Sequence, residues 1–268
     1  MDSSCNQPLT TFSTVNGPGR RPVAKRVLDI ACSLAAMPVL GLFTLAMTVV
    51  TKIASPGPVF FRQKRIGHQG RPFMCYKFRT MIVGADAGVH QTHCDYLIQS
   101  NAPMTKMDAR SDNRLIPGAW LLRATGLDEL PQIINVLRGE MSIVGPRPCV
   151  PYEYEHYLPW QRERFAAVPG LTGLWQVSGK NRTTFEEMIR LDIEYARRQS
   201  WWLDVKIILL TVPALLQQVG DTRRARKAAA RAHEVEDAIR TKSSNRRPAS
   251  RSFPPIHTKG SLFPEDVS

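Results

Sequence analysis

No two cysteines in this chain have the CxxC spacing. The five present, Cys5, Cys32, Cys75, Cys94 and Cys149, are odd in number and scattered. That excludes a disulfide framework and a zinc ribbon and suits a reducing compartment. His90, His93 and Cys94 lie close together. No second cluster completes a metal site around them, and the segment is polar and loop-like, so the grouping reads as incidental. Internal repeats are absent, which removes solenoid architectures. Acidic residues are outnumbered: 36 Lys and Arg face 23 Asp and Glu, a net charge of +13. Residues 1–26 carry four Lys/Arg against one acid, and residues 221–268 carry eleven against six. An excess concentrated in the tails suits an anionic membrane surface as well as nucleic acid. Aromatic residues make up 8% of the chain and form no stacking platform with basic residues, so no nucleic-acid partner is expected.

Long apolar runs are scarce too. Val27 to Ile53 is the one stretch long enough to span a bilayer, for which about 20 apolar residues suffice. It is too long for the core of a cleaved signal peptide, and the Ser55-Pro56-Gly57-Pro58 turn after it is not a cleavage site. Pro38 interrupts the run near its middle, where it removes a hydrogen bond and kinks a helix. Arg20, Arg21, Lys25 and Arg26 precede the run, and Lys52, Arg62, Lys64 and Arg65 follow it. Positive flanks favour the cytoplasmic side. Two readings stand on this segment alone: a kinked single crossing, or a helix that enters, bends at Pro38 and returns. A second run, Trp201 to Leu216, contains Asp204, Lys206 and Pro213 and is too short and too charged to span. With Trp201-Trp202 and the amphipathic 185–198 segment before it, it reads as interfacial helix or as globular core.

The remaining chain divides by composition. Residues 1–22 are polar and expected to be disordered. Residues 23–54 hold the membrane helix, and 55–220 are expected to form the globular body. Residues 221–268 read as a basic disordered tail, briefly helical over 225–240. Val59–Gln63 and Pro72–Phe78 read as a β-hairpin about a Gly67–Gly70 turn, with Lys77 and Arg79 on one face. Gly145-Pro146-Arg147-Pro148 is a rigid turn that presents one arginine. Residues 169–180 form a glycine-rich loop with a short strand.

The segment with most chemical content is Leu122 to Gly139. Gly126 breaks what precedes it, Pro131 fits only a first helical turn, and Leu130, Ile133, Ile134 and Leu137 recur at helical spacing. Asp128 and Glu129 therefore sit where a helix begins, a position that favours carboxylates and attracts anionic ligands. Neighbouring helical residues do not share a face, so the two acids have different tasks: one a nucleophile or metal ligand, the other its support. A plain acidic first turn is the simpler alternative. Lys77, Arg79, Arg123 and Arg147 lie near turns or strand ends. Taken together with the acids, they resemble apparatus for a phosphate diester.

At this point the chain resembles the monotopic phosphoglycosyl transferases, the bacterial sugar transferase family. The resemblance covers about residues 24–217. It rests on KRVLD (25–29), SPGPVFFRQ (55–63), KFRTM (77–81), LRATGLDELPQIINVLRGEMSIVGPRP (122–148) and PGLTGLWQVSG (169–179), in the family's order. It implies an α+β fold, mainly helical, with a re-entrant membrane helix, interfacial amphipathic helices and a small β-hairpin. It implies transfer of a sugar-1-phosphate from a UDP-sugar to undecaprenyl phosphate with release of UMP. The sugar expected is a hexose, glucose or galactose, as in relatives of this compact layout that start exopolysaccharide synthesis. It also implies Mg²⁺ and an active site on the cytoplasmic face of the bacterial inner membrane; a homodimer is an open expectation. Asp128 would be the nucleophile and a Mg²⁺ contact, with Glu129 in support. Arg123 would hold phosphate, Lys77 and Arg79 would contact substrate phosphate, and Pro146, Arg147 and Pro148 would shape the nucleotide side. The family has Ser where Met37 precedes Pro38 here. The competing reading is an inactive, membrane-anchored interaction protein with a basic tail, which would tolerate Asp128→Asn.

Overall fold

The computed structural model describes residues 22–84, 88–104 and 114–244. The segment 1–21 and the last residues of the tail, 245–268, lie outside the described residues, as do the side chains of His90, His93 and Cys94. The described residues are mainly helical, with two small two-stranded sheets. The long helix α1 (Val23–Ala54) comes first. The antiparallel hairpin of β1 (Phe60–Ile66) and β2 (Pro72–Phe78) follows. The hairpin is longer at β1 than the sequence pattern indicates, because Lys64, Arg65 and Ile66 continue the pairing up to the 3₁₀ turn at His68–Gly70. Residues 88–100 form helix α2, a correction to the loop expected there from its polar composition.

Next come α3 (Ala119–Thr125), a 3₁₀ turn (Leu127–Gln132) and α4 (Ile133–Arg138). The short strands β3 (Ser142–Val144) and β4 (Gly170–Thr172) pair in parallel, with α5 (Pro151–Glu155) and a 3₁₀ segment (Pro159–Ala166) between them. This pairing brings two glycine-containing motifs into contact. A Cβ on Gly145 would lie 2.2 Å from the Val168 carbonyl oxygen, and one on Gly170 would lie 2.0 Å from the Gly145 nitrogen. Only glycine permits so close a backbone approach. α6 (Leu174–Val177), α7 (Phe185–Arg198) and α8 (Trp201–Ser244) complete the chain. Thr184 and Glu187 form a capping box at the start of α7, and Met188, Ile189 and Ile193 on its inner face join Tyr157, Phe165, Trp175 and Phe185 in the largest core cluster.

α8 does not stop at Gly220. It runs on through 221–244, where Ala and Arg are strong helix formers, so this part of the tail is helical over a longer stretch than the sequence indicates. That continuation also changes the membrane arithmetic. By length and composition alone, Val23–Ala54 and Trp201–Ala229 are both long and apolar enough to cross a membrane. The second passes because the helix continues beyond the 201–216 run.

α1 is continuous through Pro38. At 32 residues it is about 48 Å long. One side is bound to the body along this length. Near its start, Lys25 Nζ donates to Asp204 Oδ2 (2.7 Å), the Tyr195 hydroxyl (2.9 Å) and the Val144 carbonyl (3.0 Å), all buried. The Tyr195 hydroxyl also donates to Asp204 Oδ1, and burial together with that carboxylate raises its pKa well above the usual tyrosine value. One turn on, Asp29 Oδ1 accepts from Ser142 Oγ and the Ile143 N–H, both at 2.8 Å. Arg26 donates to the Val136 and Leu137 carbonyls at the end of α4, each 2.6 Å away. Beyond Pro38, Leu40 and Met47 pack with Phe78, Ile116 and Ala119. The hydroxyls of Thr44, Thr48 and Thr51 turn back onto carbonyls one turn earlier. The other side of α1 exposes Val27, Leu34, Leu42, Leu45, Val49 and Ile53. An apolar face of this extent marks a membrane-facing surface.

Lys25→Met would leave Asp204 buried without its cation. A loss of about 3–5 kcal/mol is expected in chemical denaturation of the micellar protein. Combining it with Asp204→Leu should recover most of that loss, whereas a cost under about 1 kcal/mol for the single change would contradict the role assigned to the pair.

Candidate active site

Asp128 and Glu129 lie in the first turn of the Leu127–Gln132 3₁₀ segment, which runs directly into α4. The sequence pattern places them at the start of an α-helix. The tighter turn arises because Gly126 enters it in the left-handed conformation (φ 74°) and Pro131 supplies no N–H to the first α-helical ladder. The Glu129 N–H donates to the Gly126 carbonyl at 3.0 Å. Gly139, also left-handed, closes α4 as expected.

Strand β2 packs on this acidic turn. Asn135, fully buried in α4, continues the strand edge: its Oδ1 accepts from the Tyr76 N–H, and its Nδ2 donates to the Met74 carbonyl and to Glu140. An amide side chain with a donor and an acceptor can occupy the place of a neighbouring strand. The register so fixed brings Lys77 Nζ to Glu129 Oε1 at 2.6 Å. Just past the strand, Thr80 Oγ1 accepts from Arg123 Nη1 at 3.4 Å. Lys77, Arg123, Asp128 and Glu129 are thus gathered where β2, α3 and the acidic turn meet. Asp128 is buried, with 8% of its surface exposed, while Glu129 and Lys77 are more open.

Arg79 is placed differently. It is buried, donating from Nε to the Pro58 carbonyl (2.7 Å), from Nη1 to Ser55 Oγ (2.9 Å) and from Nη2 to the Ser55 carbonyl. The guanidinium closes the C-terminal end of α1, and the alternation that put it beside Lys77 ends with the strand at Phe78. Arg147 belongs to a second cluster. Its guanidinium meets the Glu153 carboxylate at 3.0–3.3 Å, its N–H donates to Asp192, and its carbonyl accepts from Arg164. Arg164 is fully buried and also bonds the Tyr157 hydroxyl and Asp192. Arg65 donates to the Pro148 carbonyl, so the Pro146-Arg147-Pro148 turn is held from both sides. Lys25, Arg26, Asp29 and Asn135 were not recognised as organisers of the site. The signal for the first three is the KRVLD run, charges set against an apolar helix; for Asn135 it is an amide inside the apolar run of α4.

Among the described residues, no group of three or more His, Cys, Asp or Glu side chains gathers as a ready-made metal cage. Asp128 and Glu129 are two adjacent carboxylates, a donor set of the kind Mg²⁺ takes together with substrate phosphates and water.

An apolar helix bound along one side to a body that carries an acid pair with two cations is the layout of a membrane-associated transferase. The chain belongs to the bacterial sugar transferase family, whose profile matches residues 20–218. It is 40% identical over 200 residues to a galactosyl transferase, CpsE, of Streptococcus agalactiae, covering 74% of this chain and 43% of that protein. It is 36% identical over 220 residues to the exopolysaccharide production protein ExoY of Sinorhizobium fredii, covering 80% of this chain and 97% of the relative. It is 37% identical over 222 residues to a UDP-glucose:undecaprenyl-phosphate glucose-1-phosphate transferase of Caulobacter vibrioides, covering 78% of each chain. This chain thus spans less than half of the streptococcal relative and most of the other two.

The second cluster titrates in two opposed ways. Burial alone would raise Glu153, but the Arg147, Arg65 and Arg164 guanidinium groups together outweigh it and hold the carboxyl at about 2, below the ordinary 4.5. Its contribution to stability is therefore complete above pH 4.5 and lost as pH falls through about 2. Burial pushes Asp192 up to about 6 from 3.8, against the pull of Arg164. Its contribution is complete below pH 3.8 and lost as pH rises through about 6. Glu153→Gln is expected to cost about 3 kcal/mol at neutral pH and to flatten the acid side of the stability curve. An acid-unfolding profile that the substitution leaves unchanged between pH 2 and 4.5 would contradict the pairing.

Proposed function

We propose that this protein transfers a sugar-1-phosphate from a UDP-sugar to undecaprenyl phosphate, the first membrane step of exopolysaccharide or other glycoconjugate synthesis. The observation that carries the reading is the turn of Asp128 and Glu129, with Lys77 on Glu129 and Arg123 on the neighbouring Thr80, inside the family match. Asp128 Oδ attacks the sugar-bearing phosphorus of the donor. The bond from that phosphorus to the bridging oxygen breaks, and UMP leaves with the electron pair. An oxygen of undecaprenyl phosphate then attacks the same phosphorus and displaces the Asp128 carboxylate. Two steps let a soluble donor and a lipid acceptor use one site in turn. Bound Mg²⁺, held by Asp128 and the diphosphate, would lower the repulsion between carboxylate and substrate. Lys77 keeps Glu129 oriented and balances its charge, and Arg123 faces the phosphates. Arg147 and its proline turn form a rigid wall for the nucleotide. The galactose and glucose transferases among the relatives favour a hexose as the sugar.

The same reading sets the protein on one face of the bacterial inner membrane, with the site toward the cytoplasm. Its support is that residues near both ends of α1, Lys25 and Asp29 at one and Ser55 at the other, bind a single body. Positive residues flank the apolar run on both sides, and entry and return about Pro38 would place both flanks at the cytoplasmic face.

The test is UMP release by the solubilised protein from a panel of UDP-sugars, with undecaprenyl phosphate and Mg²⁺. Wild type should turn over at least one donor, and Asp128→Asn should lose about 10³-fold or more in kcat. Lys77→Ala should lose roughly tenfold or more through its effect on Glu129. An active Asp128→Asn protein would overturn the nucleophile assignment, and folded wild type inert with every donor would favour an interaction protein.

A further inference from the structure

The far half of α8 carries a feature that the transfer reaction does not use. At 100° per residue, Trp202, Leu209, Val212 and Leu216 share one side of the helix. They are 75%, 69%, 61% and 70% exposed. Arg223, Lys227 and Arg231 continue the same side within an arc of about 100° and are exposed as well. The stripe therefore changes from apolar to cationic at Gly220 without leaving its face. Arg224 lies beside it, with Asp221 only loosely engaged at 3.8 Å. Arg226 points to the opposite flank, where its guanidinium rests 4.8 Å from the centre of the Trp120 ring. With the Gln218 side chain donating to the Arg123 carbonyl, that contact fastens this part of α8 to α3.

We propose that residues 220–231 of α8 form a docking face for the anionic headgroups of a phospholipid bilayer. The order of chemistry along the helix decides the occupant. A bilayer offers acyl chains and then phosphates, and its polar layer is roughly 5–8 Å deep on each side. Leu216 to Arg223 is about 10 Å along the helix axis, so an obliquely seated α8 passes from one zone to the other between them. A nucleic acid matches the cations but gives Leu209, Val212 and Leu216 nothing to bury against. Each Lys or Arg near an anionic surface adds a modest attraction that salt screens. The cluster thereby biases the enzyme toward anionic membrane and fixes the tilt of α8 over α3, the helix that carries Arg123. This rests on the membrane seating of the protein and not on the chemistry at Asp128.

The experiment is hydrogen exchange of amides 220–231 in the full chain, held in nanodiscs of phosphatidylcholine alone or mixed with phosphatidylglycerol. Exchange is expected to be at least about tenfold slower in the anionic disc, and the difference should vanish at roughly 0.5 M salt. A combined Arg223→Gln, Arg224→Gln, Lys227→Gln, Arg231→Gln variant should lose the difference while α7 keeps its protection, and lysine at the three arginine positions should retain it. Equal exchange in the two discs would overturn the proposal. So would protection by a short oligonucleotide with no effect of the lipid.

Discussion

The buried ammonium of Lys25 is the contact on which the remaining architecture depends. It joins the start of α1 to the end of β3 through Val144, to α7 through Tyr195 and to α8 through Asp204. A lysine is rarely buried without a partner, and here three oxygens replace its water. Once Lys25 is fixed, Arg26 and Asp29 fall on α4 and β3. At the other end Arg79 closes the last turn of α1 through Ser55. The helix most suited to lipid is thus held to a polar body by charges near its two ends. Its outward apolar face is left for the bilayer.

That attachment sets the position of the acid pair. Arg26 grips the final carbonyls of α4, and Asn135 in the same helix fastens it to β2. The 3₁₀ turn with Asp128 and Glu129 is the direct N-terminal extension of α4, so its place follows from these two attachments. Lys77 and Thr80 are then carried to Glu129 and Arg123 by the strand itself. The acid turn is thus joined to α1 through rigid elements rather than through a loop, the kind of support that precise positioning of a carboxylate requires.

Much of this was legible in the sequence, and the boundary of legibility has physical causes. The hairpin follows from alternation, the start and stop around Gly126 and Gly139 from turn chemistry, and the acid pair from its place between them. Lys77, expected near the acids, meets Glu129, and Arg123 meets Thr80 just past the same strand. Arg79 was expected at the phosphates, and its guanidinium closes α1, a contact with Ser55 across 24 residues that has no local signal. The Gly145 and Gly170 contact has no local signal, since the two motifs meet only through parallel pairing across 25 residues. The buried Arg164–Asp192 pair was invisible for the same reason: its partners lie 28 residues apart, and each looks like an ordinary surface charge in its own helix. The tail from 221 was expected to be helical only over 225–240, whereas α8 runs unbroken to Ser244, because composition changes at Gly220 but helix propensity does not fail.

The seating of α1 is best tested by labelling its ends. Val23 and Ile53 are 79% and 80% exposed and lie at opposite ends of the helix. Single cysteines at these two positions, in a background with the five native cysteines replaced, can be probed with a membrane-impermeant maleimide. Both should react in inside-out vesicles and neither in right-side-out vesicles. Reaction of the two positions from opposite sides would show a crossing helix and contradict attachment of both ends to one cytoplasmic body.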